Sequence, residues 1–261
     1  MTVSDGTSLY YEKVGVGTAV VFIHGLGGNH AVWYKQVPVF ARDHAAIVYS
    51  QRAFAPSGGA RDAFDRDVLV SDLIGVLDAL GVTSADVVGQ SMGGWTALGL
   101  AVAVPHRVRS LVLADSIGGI FDDEIRAHYA ATVEQARRLG REPQPLGSHP
   151  ALDPRFTESR PADAYLYQLL STFGSPPPGM IAESLGRSAF DDSVLHTMQV
   201  PTLFVVGADD PIFPVSVVRR AAAKLPDARV EVIVRSGHSP YFERPDHWNR
   251  VVGEFLRRGT R

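Results

Sequence analysis

The five residues Gly89-Gln-Ser91-Met-Gly93 set a serine between two glycines, at the junction of an apolar run (85–89) and a nearly all-apolar stretch (92–104). A serine on such a strand-to-helix turn exposes its hydroxyl in a strained backbone conformation, with glycines leaving room for the chain to double back. The chemistry this pattern implies is nucleophilic attack on a carbonyl. A hydroxyl attacks only when a base removes its proton, so a histidine is required. Nine are present, and His238, in Ser236-Gly-His-Ser-Pro240 after the last apolar run, is the best placed. His106 follows Pro105 at a helix end, and His44, His196 and His247 fall at element boundaries. His128 and His149 lie in a helical region where they could touch substrate, though a packing or solvent role is the leading expectation for each. The third member of such a site is a carboxylate that orients the imidazole. Asp209, Asp210 and Asp115 each follow a strand-like run, and spacing leaves all three open. Negative charge on the substrate oxygen needs backbone N–H donors. Met92, after the serine, supplies one, and the glycine-rich loop His24-Gly-Leu-Gly-Gly28 suits the other. That loop is no phosphate cradle: His30 stands where the last glycine of G-x-G-x-x-G would fall, and no Walker lysine follows.

Positioning groups from such distant points requires a sheet. An alternating stretch at 9–14 reads as an early antiparallel strand, and apolar runs at 19–23, 45–49, 85–89, 108–114, 201–206 and 230–234 alternate with helical patterns at 67–80, 92–104, 215–225 and 247–257. Strands alternating with helices predict βαβ units and a mostly parallel sheet flanked by helices, an α/β fold. In such a sheet, residues past the strand C-termini gather at one edge, where ligands bind. The rhythm breaks at 117–196, which holds helical patterns near 123–139, 162–173 and 180–188 among Pro-rich loops. The expected organisation is a core of 1–116 plus 197–261 and a helical insertion of 117–196.

Composition narrows the alternatives. Lys plus Arg number 25 against 28 Asp plus Glu, a net charge of −3, which provides no field for nucleic acid or an anionic membrane. The absence of cysteine excludes disulfides, thiolate nucleophiles and Cys-ligated metal sites. With 45% apolar and 20% charged residues the chain can build an ordinary core. No secretory signal and no bilayer-length apolar stretch are visible, so a cytoplasmic protein is expected.

Taken together these motifs resemble the α/β-hydrolase superfamily, over almost the whole chain from about residue 7 to 256. The order Ser91, Asp210, His238 matches that family's nucleophile–acid–histidine order. The resemblance selects Asp210 over Asp209, because the family acid stands three residues after a glycine such as Gly207. It also implies that Leu26 and Met92 furnish the oxyanion N–H groups, and that 117–196 is a helical cap inserted after the sixth strand. A serine nucleophile argues against the haloalkane dehalogenase and epoxide hydrolase branches, which use aspartate there. The Ser-Met-Gly-Gly elbow is similar to that of small carboxylesterases and enol-lactonases. Carbon–carbon bond hydrolases of ring-cleavage products share it but typically carry Asn before the serine and Trp after the histidine, where this chain has Gln90 and Ser239. Many relatives read D-x-R-G-x-G-x-S after the strand at 45–49. Here the segment is Ser50-Gln-Arg-Ala-Phe-Ala-Pro-Ser57.

The expected reaction is hydrolysis of a small carboxylic ester or lactone through an acyl-enzyme on Ser91, with no cofactor or metal. Trp33, Phe121, Tyr129, Tyr165, Phe173 and Met180 are candidates for the substrate wall. The rival expectations are a carbon–carbon bond hydrolase, a non-hydrolytic perhydrolase or lyase, and a ligand sensor on the same scaffold. Oligomeric state is open.

Overall fold

Each apolar run of the sequence becomes a strand of one sheet. The computed structural model describes residues 1–59, 65–139, 145, 147–172 and 178–258. The first half contains β1 (Tyr11–Val14), β2 (Thr18–Ile23), a 3-10 turn (His30–Trp33), α1 (Val37–Phe40), β3 (His44–Tyr49), α2 (Arg66–Ala79), β4 (Ala85–Gln90), α3 (Gly93–Ala103) and β5 (Val108–Ala114). Five helices follow: α4 (Asp123–Leu139), α5 (Pro154–Ser159), α6 (Pro161–Ser171), α7 (Pro178–Arg187) and α8 (Asp192–His196). The chain then returns through β6 (Thr202–Gly207), α9 (Val215–Ala222), β7 (Ala228–Ile233), α10 (Pro240–Glu243) and α11 (Pro245–Arg258).

The strand order is β1-β3-β2-β4-β5-β6-β7, with β1 antiparallel to β3 and every other pairing parallel. The sheet is therefore the mostly parallel one expected. The helical insertion leaves it after the fifth strand, one earlier than the family pattern implies. Before β1, Thr2 and Ser8 form an isolated antiparallel bridge around a turn. α5 was hidden in a Pro-rich stretch: Asp153 accepts a hydrogen bond from the Arg155 N–H and Pro154 occupies the first turn, which starts a helix rather than preventing one.

Period-2 alternation along β2 shows why both faces are covered. Val21 and Ile23 join a core with Leu69, Leu73, Val76 and Leu77 of α2, Ala97 and Leu98 of α3, and Val217 and Val218 of α9. Val20 and Phe22 point the other way, into a core with Trp33, Phe40 of α1 and Trp248, Val252 and Leu256 of α11. Beside β3, the Arg52 guanidinium is buried against Asp72 in a two-pronged ion pair, with Nε and Nη2 each 2.6 Å from a carboxylate oxygen. Ala53, in the loop after β3, has a left-handed backbone (φ 65°). No helix among the described residues is long and apolar enough to cross a membrane.

Registers across the sheet place the strand ends level. Ile23 pairs with Gly89, Gln90 with Ala114, Ala114 with Val205, and Gly207 with Ile233. At Gly207 a Cβ would collide with the carbonyl oxygens of Ser236 and Gly237. Gly207→Ala is expected to destabilise the protein by about 1–3 kcal/mol through overpacking. At about 2–4 °C per kcal/mol for a chain of this size, calorimetry should record a lower Tm.

Candidate active site

Ser91 occupies the turn between β4 and α3 with φ 48°, a left-handed conformation that L-residues other than Gly, Asn and Asp rarely adopt. Two bonds hold it there: its N–H donates to the Ala114 carbonyl at 2.8 Å, and Ser116 Oγ donates to the Ser91 carbonyl at 2.7 Å. Gly93 begins α3 against β2 so closely that a Cβ would strike the carbonyl oxygens of Ile23 and His24. That approach draws the loop after β2 up to the serine.

The loop after β7 brings in His238. Its Nε2 lies 2.8 Å from Ser91 Oγ, and its Nδ1 lies 2.9 and 3.0 Å from the two carboxylate oxygens of Asp210. Asp210 also accepts the N–H groups of Ile212 (2.8 Å) and Phe213 (3.0 Å). The neighbouring Asp209 turns outward to an ion pair with Arg155 at 2.5 Å. Of the three acids left open by spacing, Asp210 is therefore the one on the imidazole. Asp115 is buried close behind it. A hydroxyl, an imidazole and a carboxylate in this chain of hydrogen bonds can move a proton off the oxygen while the carboxylate stabilises the resulting cation.

A family model described as alpha/beta hydrolase fold matches residues 18–245. The chain belongs to the alpha/beta hydrolase fold family. RutD of Azorhizobium caulinodans, a proposed carbamate hydrolase, is 30% identical over 94% of this chain and 93% of its own. The 2-hydroxymuconate semialdehyde hydrolase of Pseudomonas sp. strain CF600 is 28% identical over 97% of this chain and 92% of the relative. Among solved structures, Est816, described as an N-acyl homoserine lactone degrading enzyme, superposes with a TM-score of 0.79 at 26% identity, covering 97% of this chain and 99% of that one.

In this hydrolase-fold chain Ser91 and His238 open onto a cavity of about 690 Å³ between the sheet edge and the insertion. Leu26 and Met92 line it beside the serine, and among the described residues neither N–H takes part in a turn or cap hydrogen bond. The rest of the wall is mainly apolar and includes Trp95, Ile181, Leu185 and Phe213. Tyr129, expected there, lines it too; its ring stacks on Phe213 and its hydroxyl donates to the Ala182 carbonyl at 2.8 Å.

Three expected wall residues lie elsewhere. Trp33 is wholly buried on the other side of the sheet, among Phe22, Tyr241 and Trp248, because the turn that carries it packs under β2. Phe121 is a core residue packed on Trp95 and Tyr129 rather than a wall. Tyr165 is 40% exposed on the outer face of α6. Two positions on, and so about 200° around the helix, Tyr167 faces the cavity instead. Phe173 lies outside the described residues. Met180 falls in α7, and its side chain lies outside what is described.

Three site residues, Gln90, Glu243 and Tyr167, went unrecognised in the sequence, and His149, whose leading expectation was packing or solvent, is a fourth member of the site. Gln90 donates through Nε2 to the His238 carbonyl at 3.1 Å, tying the serine turn to the histidine loop. Glu243 accepts N–H groups from Gly237 (3.0 Å) and Ser239 (3.3 Å) on either side of His238, and from Asp153 of the insertion (2.9 Å). The His238 N–H itself donates to Ala151, also in the insertion, at 2.8 Å. Tyr167 donates to or accepts from Ser239 Oγ at 2.7 Å, and burial pushes its phenol up to about 12. His149 packs edge-on against Tyr167, and its Nδ1 accepts the Ala151 N–H at 3.2 Å, leaving the ring proton on Nε2. Burial and the nearby His238 lower His149 to about 4, so it lines the cavity as a neutral donor. Only position after a strand or before the serine could have flagged any of these; the insertion residues had no such marker.

Burial also lowers His24 to about 4; its Nε2 accepts the Gln51 N–H at 2.9 Å, a bond that protonation would remove. An unfolded histidine takes up a proton near 6.5. Between about pH 6.5 and 4 the unfolded chain thus binds protons that folded His24 refuses, and stability falls as pH drops through that window. Buried acids such as Asp86 are raised by burial and act in the opposite sense, so a difference isolates the histidine. Relative to pH 7.5, the loss of unfolding free energy in urea at pH 4.5 should be smaller in His24→Gln than in the parent. The full His24 effect is roughly 3 kcal/mol.

Proposed function

We propose that this protein is a serine hydrolase of carboxylic esters or lactones, acting through an acyl-enzyme on Ser91. The observation that carries the reading is the 2.8 Å contact between Ser91 Oγ and His238 Nε2, backed by Asp210 at 2.9 Å and opening on the cavity. Ser91 Oγ attacks the carbonyl carbon while its proton passes to His238 Nε2. The Leu26 and Met92 N–H groups receive the oxyanion, each contributing on the order of 10²–10³ in rate. The proton on His238 then goes to the leaving alkoxide as the carbon–oxygen bond breaks. Water, deprotonated by the same imidazole, attacks the acyl carbon, and Ser91 takes the proton back as the acid departs. Residues 117–196 serve as a cap that supplies most of the apolar wall.

The cavity widens the expected substrate from a small ester to one with an apolar chain or ring, since about 690 Å³ exceeds what an acetyl group fills. Apart from Arg137, its polar lining is uncharged at working pH and includes His149, Tyr167, Gln168 and Thr132. Arg137, its one cation among the described residues, is paired with Glu183. An uncharged ester or lactone suits that lining, and the likeness to the lactone-degrading Est816 supports it. A second reading, carbon–carbon bond cleavage, draws support from the 28% identity to the 2-hydroxymuconate semialdehyde hydrolase. It requires a site for an anionic dienoate, and the paired Arg137 weighs against one.

Two measurements test this. Ser91→Ala should lower kcat on p-nitrophenyl butyrate by on the order of 10⁴-fold or more and abolish labelling by a fluorophosphonate. Multiple turnover by Ser91→Ala at the parental rate would refute the acyl-enzyme. In parallel, kcat/KM for p-nitrophenyl butyrate should exceed that for 2-hydroxymuconate semialdehyde; the reverse order would favour the carbon–carbon reading.

A further inference from the structure

Asp115, directly after β5, plays no part in the proton path above, yet it is fully buried against it. Its backbone is left-handed (φ 47°), pinned by its N–H to the Val205 carbonyl at 2.7 Å. Its Oδ1 accepts the Gly207 N–H at 2.9 Å, while Oδ2 receives no donor among the described residues. Polar atoms of Asp115, Asp210 and His238 all lie within 4.8 Å of one another. The titratable groups facing Asp115 are Asp210 from the loop after β6, His238 from the loop after β7, Glu243 and Tyr241 of α10, and Tyr167 of α6. None of the ion pairs described brings Lys or Arg to Asp115 or Asp210.

Two buried carboxylates this close, with no Lys or Arg ion-paired to either among the described residues, do not both ionise. The donors decide which keeps the charge. Asp210 receives the Ile212 and Phe213 N–H groups and His238 Nδ1; among the described residues Asp115 receives only Gly207. We propose that Asp115 is a neutral carboxylic acid that donates its proton to the Asp210 carboxylate, supporting that acid from behind without touching the imidazole or the serine. The proposal rests on reading Asp210 as the acid of the triad. Burial first, then the Asp210 charge, pushes the Asp115 carboxyl well above the usual carboxylate range, in agreement. Asp115 is thus a positioning residue. Its hydrogen bond holds Asp210 in place and tempers its basicity, and so that of His238.

Asn at 115 reproduces the neutral acid, with an acceptor for Gly207 and a donor for Asp210; Ala removes both. Infrared difference spectra of the wild-type protein against Asp115→Asn, in D2O at neutral pH, should show a protonated-carboxyl C=O band present only in the former. On p-nitrophenyl butyrate, Asp115→Asn should keep kcat/KM within a few-fold of the parent, with the acid limb of its pH profile unmoved. Asp115→Ala should move that limb up by about 1 pH unit, the loss of one hydrogen bond to a charged group. If Asp115 were ionised, the band would be missing and Asp115→Asn would move the limb to lower pH, because an anion beside the imidazole had been removed. Either result overturns the neutral Asp115, and the spectra decide it even if Asp115→Ala does not fold. A band present together with undiminished turnover in Asp210→Asn would instead locate the error in the triad reading.

Discussion

Parallel strand register is the constraint from which the rest follows. Because β2, β4, β5, β6 and β7 run the same way and their ends are level, the residues that follow each strand are delivered to one edge whatever their separation in the chain. His24, Ser91, Asp115, Asp210 and His238 all leave the sheet at that edge. Backbone bonds between neighbouring strand ends then set the spacing: Ser91 to Ala114, Asp115 to Val205, Ala208 to Ile233. The Ser91–His238 contact, the proposed core of the chemistry, is a consequence of this lattice and not of any local preference of either residue.

Holding polar groups in so dry a place imposes its own order. The left-handed Ser91 is stabilised by bonds to both of its backbone groups, and the histidine loop is gripped by Glu243 below, Gln90 beside it and Ala151 above. Neutral histidines at 24 and 149 and a raised Asp115 share one cause, the removal of water. A site built this way has its dipoles already oriented before substrate arrives, the condition under which they contribute most to catalysis.

The helical insertion joins the site through backbone as well as side chains. Ala151 and Asp153 bond directly to the His238 loop and to Glu243, so displacement of this segment would disturb the proposed base as well as uncover the cavity. Its contribution to the lining is mainly apolar, with a few neutral donors and the paired Arg137.

Much of this was legible in the residue order. Continuous apolar runs bounded by glycine announce buried parallel strands, and a serine between glycines at a strand end announces the turn, because both signals are local and steric. The strands expected at 108–114 and 45–49 and the helix at 123–139 correspond closely to β5, β3 and α4. Side-chain destinations were a different matter. Trp33 went to the far face, Tyr165 to solvent and Tyr167 to the cavity, since one rotation of a helix or one reversal of a turn redirects a side chain that composition alone cannot aim. Asp209, Asp210 and Asp115 were equivalent by spacing; the family resemblance favoured Asp210, and three-dimensional placement gives each its own role: an arginine draws one outward, the imidazole claims another, and burial holds the third behind it. Sequence determined the scaffold and the edge at which chemistry would occur, because hydrophobic periodicity and glycine sterics act within a few residues. Tertiary structure decided which groups meet there and in what charge state, because distance and desolvation are properties of the packed chain.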